Sequence, residues 1–409
     1  LYSGGNPMVW VSNAWSNDGI SNVQTQWRNF SGAQSVFTDV QLSGAGRPGY
    51  DVPQSVFDTV ANTSAADGNT DSLAFIDPDY EQPSEWKYSL GATYTMDNGL
   101  TLDGDIIYSR QNDPAYYEDV SQTQIGTTAA GAPIFDFVAG SENYMLTNAN
   151  TYGDGLAVSL IAKQRYDWGL DWSLGYAYTD QTDVSPMTSS VASSNFNNLA
   201  LSSLVDPRAA TSNYVSPHRF TARISYAREF IPGHETRITA FMFSKEGQPQ
   251  SHVMSSSDLE GDQRYGRHLL YVPSPNGDDN VVIQPGFDTA GWNTFLKTNG
   301  YEQYAGGFVP RNARHTRWSN RMDLRIDQEL PLFFGTQARA YLKIYNVLNM
   351  LNDSWGRQYD SYFYSQAVVT SSVDGDGRYV FENFRNRGLT DLRENASLYE
   401  IRLGVQFEF

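Results

Sequence analysis

The chain has 409 residues, a net charge of −18 and no cysteine. The acidic balance argues against a protein that tracks nucleic-acid phosphates, because such a protein needs a basic face, and the missing cysteines exclude disulfide scaffolds and thiolate metal sites. No apolar run reaches the roughly 18 to 20 residues of a membrane-spanning helix. A helical membrane protein is therefore excluded, whereas a membrane barrel of alternating strands is not.

The first residues carry little information about targeting. Residues 1–6 contain no initiator Met, basic segment or apolar segment, so no signal peptide is visible. Either a processed chain or a fragment of a longer one would begin in this way.

Period-two alternation, which places every second side chain on one face of a strand, begins at Trp86. The alternating residues Trp86 to Tyr94 are followed by the turn Met96-Asp97-Asn98-Gly99, in which Asn-Gly is expected to supply the positive-φ positions of a short hairpin. The same pattern recurs along the chain. It predicts nine complete strands at about 86–95, 100–110, 154–165, 169–179, 218–228, 236–246, 317–328, 338–350 and 397–409.

Three weaker features complete the strand prediction. Residues 1–11 are expected to be the tail of an outward strand, with 12–85 outside the cell. In 236–246 the outward face stays open, because Ile238/Ala240/Met242 and Thr239/Phe241/Phe243 fit equally well. A short hairpin is possible at Gln366 to Thr370 and Arg378 to Phe384.

The two faces of these strands differ in chemistry. One face carries charges, and its clearest members are predicted to face a lumen: Arg321, Asp323, Arg325, Asp327, Arg339 and Lys343. The other face is apolar, with aromatic residues near the strand ends. Its clearest members are predicted to face lipid: Tyr399, Ile401, Leu403, Val405, Phe407 and Phe409. This layout predicts an all-β transmembrane antiparallel barrel; a soluble sandwich, whose apolar face meets a second sheet, is the alternative.

The connections between strands alternate in length. The hairpin turns span a few residues, whereas 111–152, 180–217, 249–316 and 353–396 are long and rich in Gly, Ser, Asn, Asp and Pro. Structureless connections of this size would count against a compact soluble domain. Short turns on one side and long loops on the other are typical of outer-membrane barrels.

Several stretches resemble a known family. The segment Ser397 to Phe409 looks like the closing assembly signal of outer-membrane barrels, and Asn346-Val347-Leu348-Asn349 resembles an Asn-Leu-Phe-Asn element of TonB-dependent transporters. Further stretches are similar to the Oar-like branch of that family: 7–13, 269–274, 319–325 and 349–356.

The resemblance implies a 22-stranded barrel in the outer membrane of a Gram-negative bacterium, with an N-terminal plug and a periplasmic box that contacts TonB. Residues 1–409 would be about ten C-terminal strands of that barrel, without the plug or the TonB box. The implied partners are outer-membrane lipid and lipopolysaccharide, the plug of the same full-length chain, and TonB through the absent N-terminal region. The ligand is unknown, and the Oar-like branch suggests peptide or protein. No nucleic acid is implied.

The sequence carries no catalytic motif, and we expect no enzyme activity and no cofactor. His234-Glu235 lies in a short turn without a second His, which favours a turn residue over a metal ligand. Asp374-Gly375-Asp376-Gly377 resembles the start of a calcium loop, but Arg385 stands where the bidentate Glu would be. Asp374 and Asp376 are therefore a weak calcium candidate, and a plain turn is favoured.

Candidate ligand contacts lie in the last long connection. Trp355, Tyr359, Tyr362 and Tyr364 could stack on a glycan or peptide, or pack the loop against its neighbours. A second candidate is His315, which lies near Arg311, Arg314 and Arg317; an anionic contact is possible, and an ordinary charged rim is favoured.

Two classes of function follow. The first is TonB-dependent transport of a large or scarce ligand through a plugged barrel. The alternative is a complete ten-stranded outer-membrane barrel that acts as a surface protease, a passive porin or an adhesin. A longer mature chain with a plug would favour the first.

Overall fold

The computed structural model describes residues 2–3, 58, 73–138, 142–255, 259–262, 267–333, 336–361, 365–385 and 391–408. The fold is all-β, as the alternation predicts. Its largest element is an antiparallel sheet whose main path has ten strands: β1 (Tyr2–Ser3), β2 (Ser84–Thr95), β3 (Thr101–Asn112), β4 (Asp154–Arg165), β5 (Leu170–Asp183), β6 (His218–Ile231), β7 (His234–Lys245), β8 (Ser319–Phe333), β9 (Thr336–Tyr345) and β10 (Glu400–Glu408).

Each strand of this main sheet pairs with the next one in the chain. All nine predicted strands are present, with ends shifted by a few residues. The expected strand tail at residues 1–11 is described only at Tyr2–Ser3, which pairs with Ser84 and Glu85. Within the described part, β1 and β10 are the two ends of the path, and no pairing joins them.

Glycine closes the hairpin turns after β2 and β4. At Met96 to Gly99, the Gly99 N–H donates to Met96 O at 2.9 Å and the Met96 N–H donates to Leu100 O at 2.8 Å. Gly99 has φ +83°, whereas Asn98 is not in the positive-φ region. The prediction that Asn-Gly supplies two such positions is therefore wrong; a single glycine after an ordinary turn suffices. Gly169 closes the next hairpin in the same way.

The register resolves the open face of β7. Ile238, Ala240 and Met242 lie opposite Tyr226, Ile224 and Ala222 of β6, and so belong to the apolar face. Phe241 and Phe243 lie on the charged face instead. Period-two alternation within one strand cannot separate these alternatives, whereas the register of its neighbours does.

The long connections are not structureless, and this corrects the sequence-based expectation. Together with strand Leu73–Ile76, which precedes β2 and pairs with Asn143–Asn148, they form a folded layer at one end of the main sheet, called here the cap. Its strands are Leu73–Ile76, Ala115–Asp119, Gln122–Thr127, Pro133–Phe137, Asn143–Asn148, Ala210–Thr211, Pro249–Ser255, Tyr271–Val272, Val281–Ile283, Gly307–Phe308, Arg314–His315, Tyr359–Asp360, Ser365–Val373, Tyr379–Phe384 and Asp391–Leu392. The possible hairpin at 366–384 is confirmed, with strands Ser365–Val373 and Tyr379–Phe384.

Short helices complete the fold. They are Ala192–Asn197, Thr289–Asn299, Val347–Leu351, Glu394–Ser397 and the 3-10 turn Tyr301–Tyr304. Strand 338–350 was predicted too long, because β9 ends at Tyr345 and the Asn-rich element begins the helix Val347–Leu351. Among the described residues, no helix combines the length and apolar character needed to cross a bilayer.

The buried core of the protein lies in the cap. Strand Pro249–Ser255 runs parallel to Ser365–Val373, which joins the third and fourth connections. The largest cluster of buried residues packs around Trp292, Phe295, Tyr301 and Phe381. The other connections join in the same way, because Phe196 packs against Tyr117 and Leu146, and Ala200 packs against Val253 and Leu269. The four connections therefore form one interlocked layer at the strand ends.

Candidate functional site

The main sheet presents two faces of opposite character. One register row runs across six strands and is entirely apolar: Trp172, Ile224, Ala240, Leu324, Ile344 and Ile401. The row beside it, one residue along each strand, is polar: Asp171, Ser225, Thr239, Arg325, Lys343 and Arg402. The alternation is therefore shared by these six strands and is not limited to single ones; on the charged face of β3 and β4, Ile107 and Ile161 are exposed apolar exceptions.

Among the described residues, the side chains of the apolar face are largely exposed. Ile401, Leu403 and Val405 of β10 are 52%, 79% and 52% exposed, and Tyr399 and Phe407 are also exposed. Phe409, the last residue predicted to share this face, lies outside the described residues. Monomeric soluble proteins seldom expose apolar surface that extends over many strands.

Aromatic residues mark both ends of the apolar face. At the cap end of β5 and β6, Tyr176, His218, Phe220 and Trp318 form a stacked cluster with ring centroids 4.8–6.3 Å apart. At the turn end, Trp168 contacts Tyr166 and Tyr226. The exposed residues between the two clusters are mainly aliphatic: Leu90, Ile106, Leu160, Leu174, Ile224, Met242, Leu403 and Val405.

The opposite face is a network of ion pairs. On β8, Arg321 Nε lies 2.8 Å from Asp323 Oδ1, and Arg325 binds Asp327 through Nε and Nη2 at 2.6 and 2.5 Å. The remaining predicted lumen residues lie on the same face. Arg339 pairs with Glu329 at 3.1 Å, and Lys343 lies 5.4 Å from the ring of Tyr341.

A polar cleft of about 470 Å³ opens where this charged face meets the cap; it is called here the rim cleft. Strand ends contribute Lys245 and Arg321, and cap segments contribute Tyr214, Gln248, Tyr359 and Arg393. The cleft thus joins one predicted lumen residue, Arg321, with one predicted loop contact, Tyr359. Lys245 was not predicted, because a single Lys at a strand end carries no sequence signal.

Asn346 connects the rim cleft to the last strand. Its backbone N–H donates to Asp323 Oδ1 at 2.8 Å, the same oxygen that accepts from Arg321 Nε. Its buried side-chain amide donates to Gly356 O at 2.9 Å and Ser397 O at 2.7 Å. The first residue of the Asn-rich element therefore holds β8 and the segment before β10 together.

The other residues predicted as ligand contacts do not line the rim cleft within the described part of the chain. Trp355 is exposed and lies outside the lining of the rim cleft, whereas Tyr362 and Tyr364 lie outside the described residues. Arg311 does not belong to an exposed charged rim as predicted. It is buried, with Nη2 2.6 Å from Asp183 Oδ1 and Nη1 2.9 Å from Val184 O, so it fastens the cap to β5.

Two buried histidines of the cap have pKa values shifted in opposite directions. Burial lowers the pKa of His252, whose Nδ1 is 2.5 Å from the Tyr301 hydroxyl, to about 3. Burial would also lower the pKa of His268, but Glu260 and Asp262, at 3.1 and 3.3 Å, outweigh burial and raise it to about 9. Both histidines are inside the cap core, away from solvent.

The weak calcium candidate is a turn. The Asp374 carboxylate accepts hydrogen bonds from the N–H groups of Asp376 and Arg378 and pairs with the Arg378 side chain at 2.8 Å. Its oxygens are thus committed to the turn. Within the part of the chain that the structure describes, no three His, Asp or Glu residues are grouped so as to hold a metal ion.

No family model and no curated protein matches the chain.

Proposed function

We propose that the chain is the C-terminal part of a TonB-dependent outer-membrane transporter, a β-barrel through which a large or scarce ligand enters the cell. The observation that carries the proposal is the exposed apolar face of the main sheet, bounded by aromatic residues at both strand ends. Hydrocarbon is the solvent that matches such a surface, because lipid tails need no polar partner and aromatic side chains prefer the interfaces.

The dimensions agree with this proposal. Tyr399 and Phe407 lie eight residues apart, which is about 26 Å along a strand and about 20 Å along the membrane normal at a typical barrel tilt. The apolar band of outer-membrane barrels is about 25 Å tall. In a soluble sandwich, Ile401, Leu403 and Val405 would instead pack against a second sheet.

The charged face supports a lumen that is filled by water or by protein. Its cations are largely paired with neighbouring carboxylates on the same face, such as Arg325 with Asp327. Such pairs tolerate water and would also meet a polar plug, whereas lipid would penalise them by several kcal/mol. The cap lies at the strand ends where a ligand would arrive, and the rim cleft opens beside the charged face.

Single-cysteine labelling in membranes tests the location, and the cysteine-free chain makes each variant unambiguous. L403C should react with a maleimide dissolved in lipid but not with a charged, water-soluble maleimide. R208C, in the exposed part of the cap, should react with the water-soluble reagent. If L403C reacted with that reagent as fast as R208C, the membrane assignment would be wrong.

Conductance separates transport from passive diffusion. A plugged transporter in a planar bilayer should stay closed at low voltage, because the plug fills the lumen. A steady open conductance of the full-length protein would contradict the plugged-transporter proposal and favour a porin.

A further inference from the structure

We propose that the rim cleft binds an anionic oxygen group, a carboxylate or phosphate, of the transported ligand through the guanidinium of Arg321 and the ammonium of Lys245. This inference deepens the proposed function and rests on it, since it names the chemistry that the mouth of the lumen recognises.

Cations are crowded beside and within the rim cleft. Arg219 lies directly opposite Lys245 in the β6–β7 register, and Lys245 lies opposite Ser319, two residues from Arg321 on the same face. Like charges at directly opposed positions destabilise a sheet. Within the described part, neither Arg219 nor Lys245 forms an ion pair, and Arg219 instead lies over the Phe243 ring at 5.9 Å.

Two of the acids at the cleft are paired, Asp360 with Arg393 and Asp323 with Arg321 Nε. Glu246 lies 3.7 Å from His315, but burial lowers the pKa of His315, so this carboxylate faces a neutral imidazole. Counting Arg219 with the lining cations Lys245, Arg321 and Arg393, four cations face these three carboxylates, a local surplus of one positive charge, although the whole chain carries −18. An anion in the cleft would relieve the repulsion between the cations around it.

The Arg321 side chain is held in a fixed orientation. Asp323 holds the Nε atom at 2.8 Å, and Asp323 is itself fixed by the Asn346 N–H. The two Nη atoms have no hydrogen-bond partner in the described part of the chain, and the side chain lines the cleft. A guanidinium whose Nε is anchored and whose Nη atoms are open can bind one oxyanion through parallel N–H groups.

The remaining lining fits an organic ligand that carries such a group. Tyr214 and Tyr359 supply aromatic surface, while Gln248 and Gln358 supply amides. The cleft volume, about 470 Å³, lies in the range of small-molecule sites.

Binding to the purified full-length protein in detergent tests the proposal. The probes are a tetraglycine peptide with a free carboxylate, the same peptide amidated at its C-terminus and, separately, inorganic phosphate, each titrated at low salt. The free peptide should bind at least tenfold more tightly than its amide. The variants R321Q and K245Q should each weaken binding of the free peptide about tenfold, with R321K intermediate because a lysine lacks the bidentate geometry.

R339Q is the matched control. It removes the same charge from the same face, but Arg339 lies at the turn end of β9 and pairs with Glu329. The R339Q variant should bind the free peptide as tightly as the unmodified protein does, and circular dichroism verifies that all variants are folded.

The probes also separate the sources of the anion. Binding of both free peptide and phosphate supports a general oxyanion site, and binding of only one assigns the site to carboxylates or to phosphates. Equal binding of peptide and amide without phosphate binding, or unchanged binding in R321Q and K245Q, would overturn the proposal. Because this experiment is done in detergent, its failure would leave the labelling test of membrane location untouched.

Discussion

At the scale of single residues, Asn346 contributes most to the geometry of the site. It has φ +53°, a backbone conformation that Asn tolerates better than most residues, and its buried amide makes two hydrogen bonds to carbonyl groups. The resemblance of residues 346–349 to a known motif drew attention to this element, but the sequence could not show which asparagine connects which strands. That role depends on the carbonyl oxygens of Gly356 and Ser397, which the sequence pattern does not place.

Two substitutions at Asn346 separate the effect of its positive φ from that of its amide hydrogen bonds. N346A should destabilise the protein by about 3 kcal/mol, because two buried carbonyl partners are lost and alanine is strained at positive φ. N346G should destabilise the protein by about 1 kcal/mol less than N346A does, because glycine also loses the two hydrogen bonds but adopts positive φ without strain. Thermal unfolding in detergent measures both. Equal stability of N346A and the unmodified protein would show that the bridge contributes nothing.

His268 contributes to the loss of stability between neutral and alkaline pH. Its folded pKa, about 9, lies above its ordinary value of 6.5, so its contribution is fully present below pH 6.5 and is lost as the pH rises through 9. The change is on the order of 3 kcal/mol. H268Q should abolish this alkaline loss, as followed by urea unfolding with near-UV circular dichroism.

His252 contributes to the loss of stability at acid pH, and the sign is opposite to that of His268. Its folded pKa is depressed to about 3, so its contribution is present above pH 6.5 and is lost as the pH falls toward 3. H252N should flatten the acid limb of the same urea measurement and leave the alkaline limb unchanged. If both variants altered the same limb, the two pKa directions would be wrong.

At the scale of elements, the strands were predictable and the cap was not. A strand with one apolar face alternates apolar and polar residues along the sequence, so β2 to β10 could be located within a few positions. The cap depends on parallel pairing between Pro249–Ser255 and Ser365–Val373, more than 100 residues apart, for which no local pattern exists. The rim cleft was half predicted for the same reason: Arg321 belongs to a strand pattern, whereas its proximity to Tyr359 depends on the cap.

The contact between β9 and β10 gives a test of strand packing. The Tyr341 ring lies over Gly404, and a Cβ added there would meet Tyr341 Cζ at 2.5 Å. G404A should cost about 1–3 kcal/mol, because it displaces a ring that also contacts Arg325 at 5.0 Å.

G126A is the control for this substitution. Gly126 also lies in a strand, but no atom stands within 4 Å of its added Cβ. Comparable thermal destabilisation of G126A and G404A would contradict the packing explanation.

At the scale of the whole molecule, the cap behaves as one folded body on the strand ends. Native protein should resist trypsin at Arg267 and Arg311, whose side chains are only 2% and 3% exposed, and should be cut at Arg208, which is 81% exposed. Mass spectrometry of the fragments identifies the sites. Early cleavage at Arg311 would mean that the connections are loose loops, as length and composition alone suggested.

The bridge at Asn346 also couples the rim cleft to the end of the main sheet. Asp323 accepts hydrogen bonds from both Arg321 Nε and the Asn346 N–H, and the Asn346 amide is anchored to Ser397, just ahead of β10. Until β10 pairs with β9, Asn346 would lack one of its anchors, and Arg321 would lose one indirect constraint on its direction. The geometry of the cleft is therefore completed with the last pairing of the sheet.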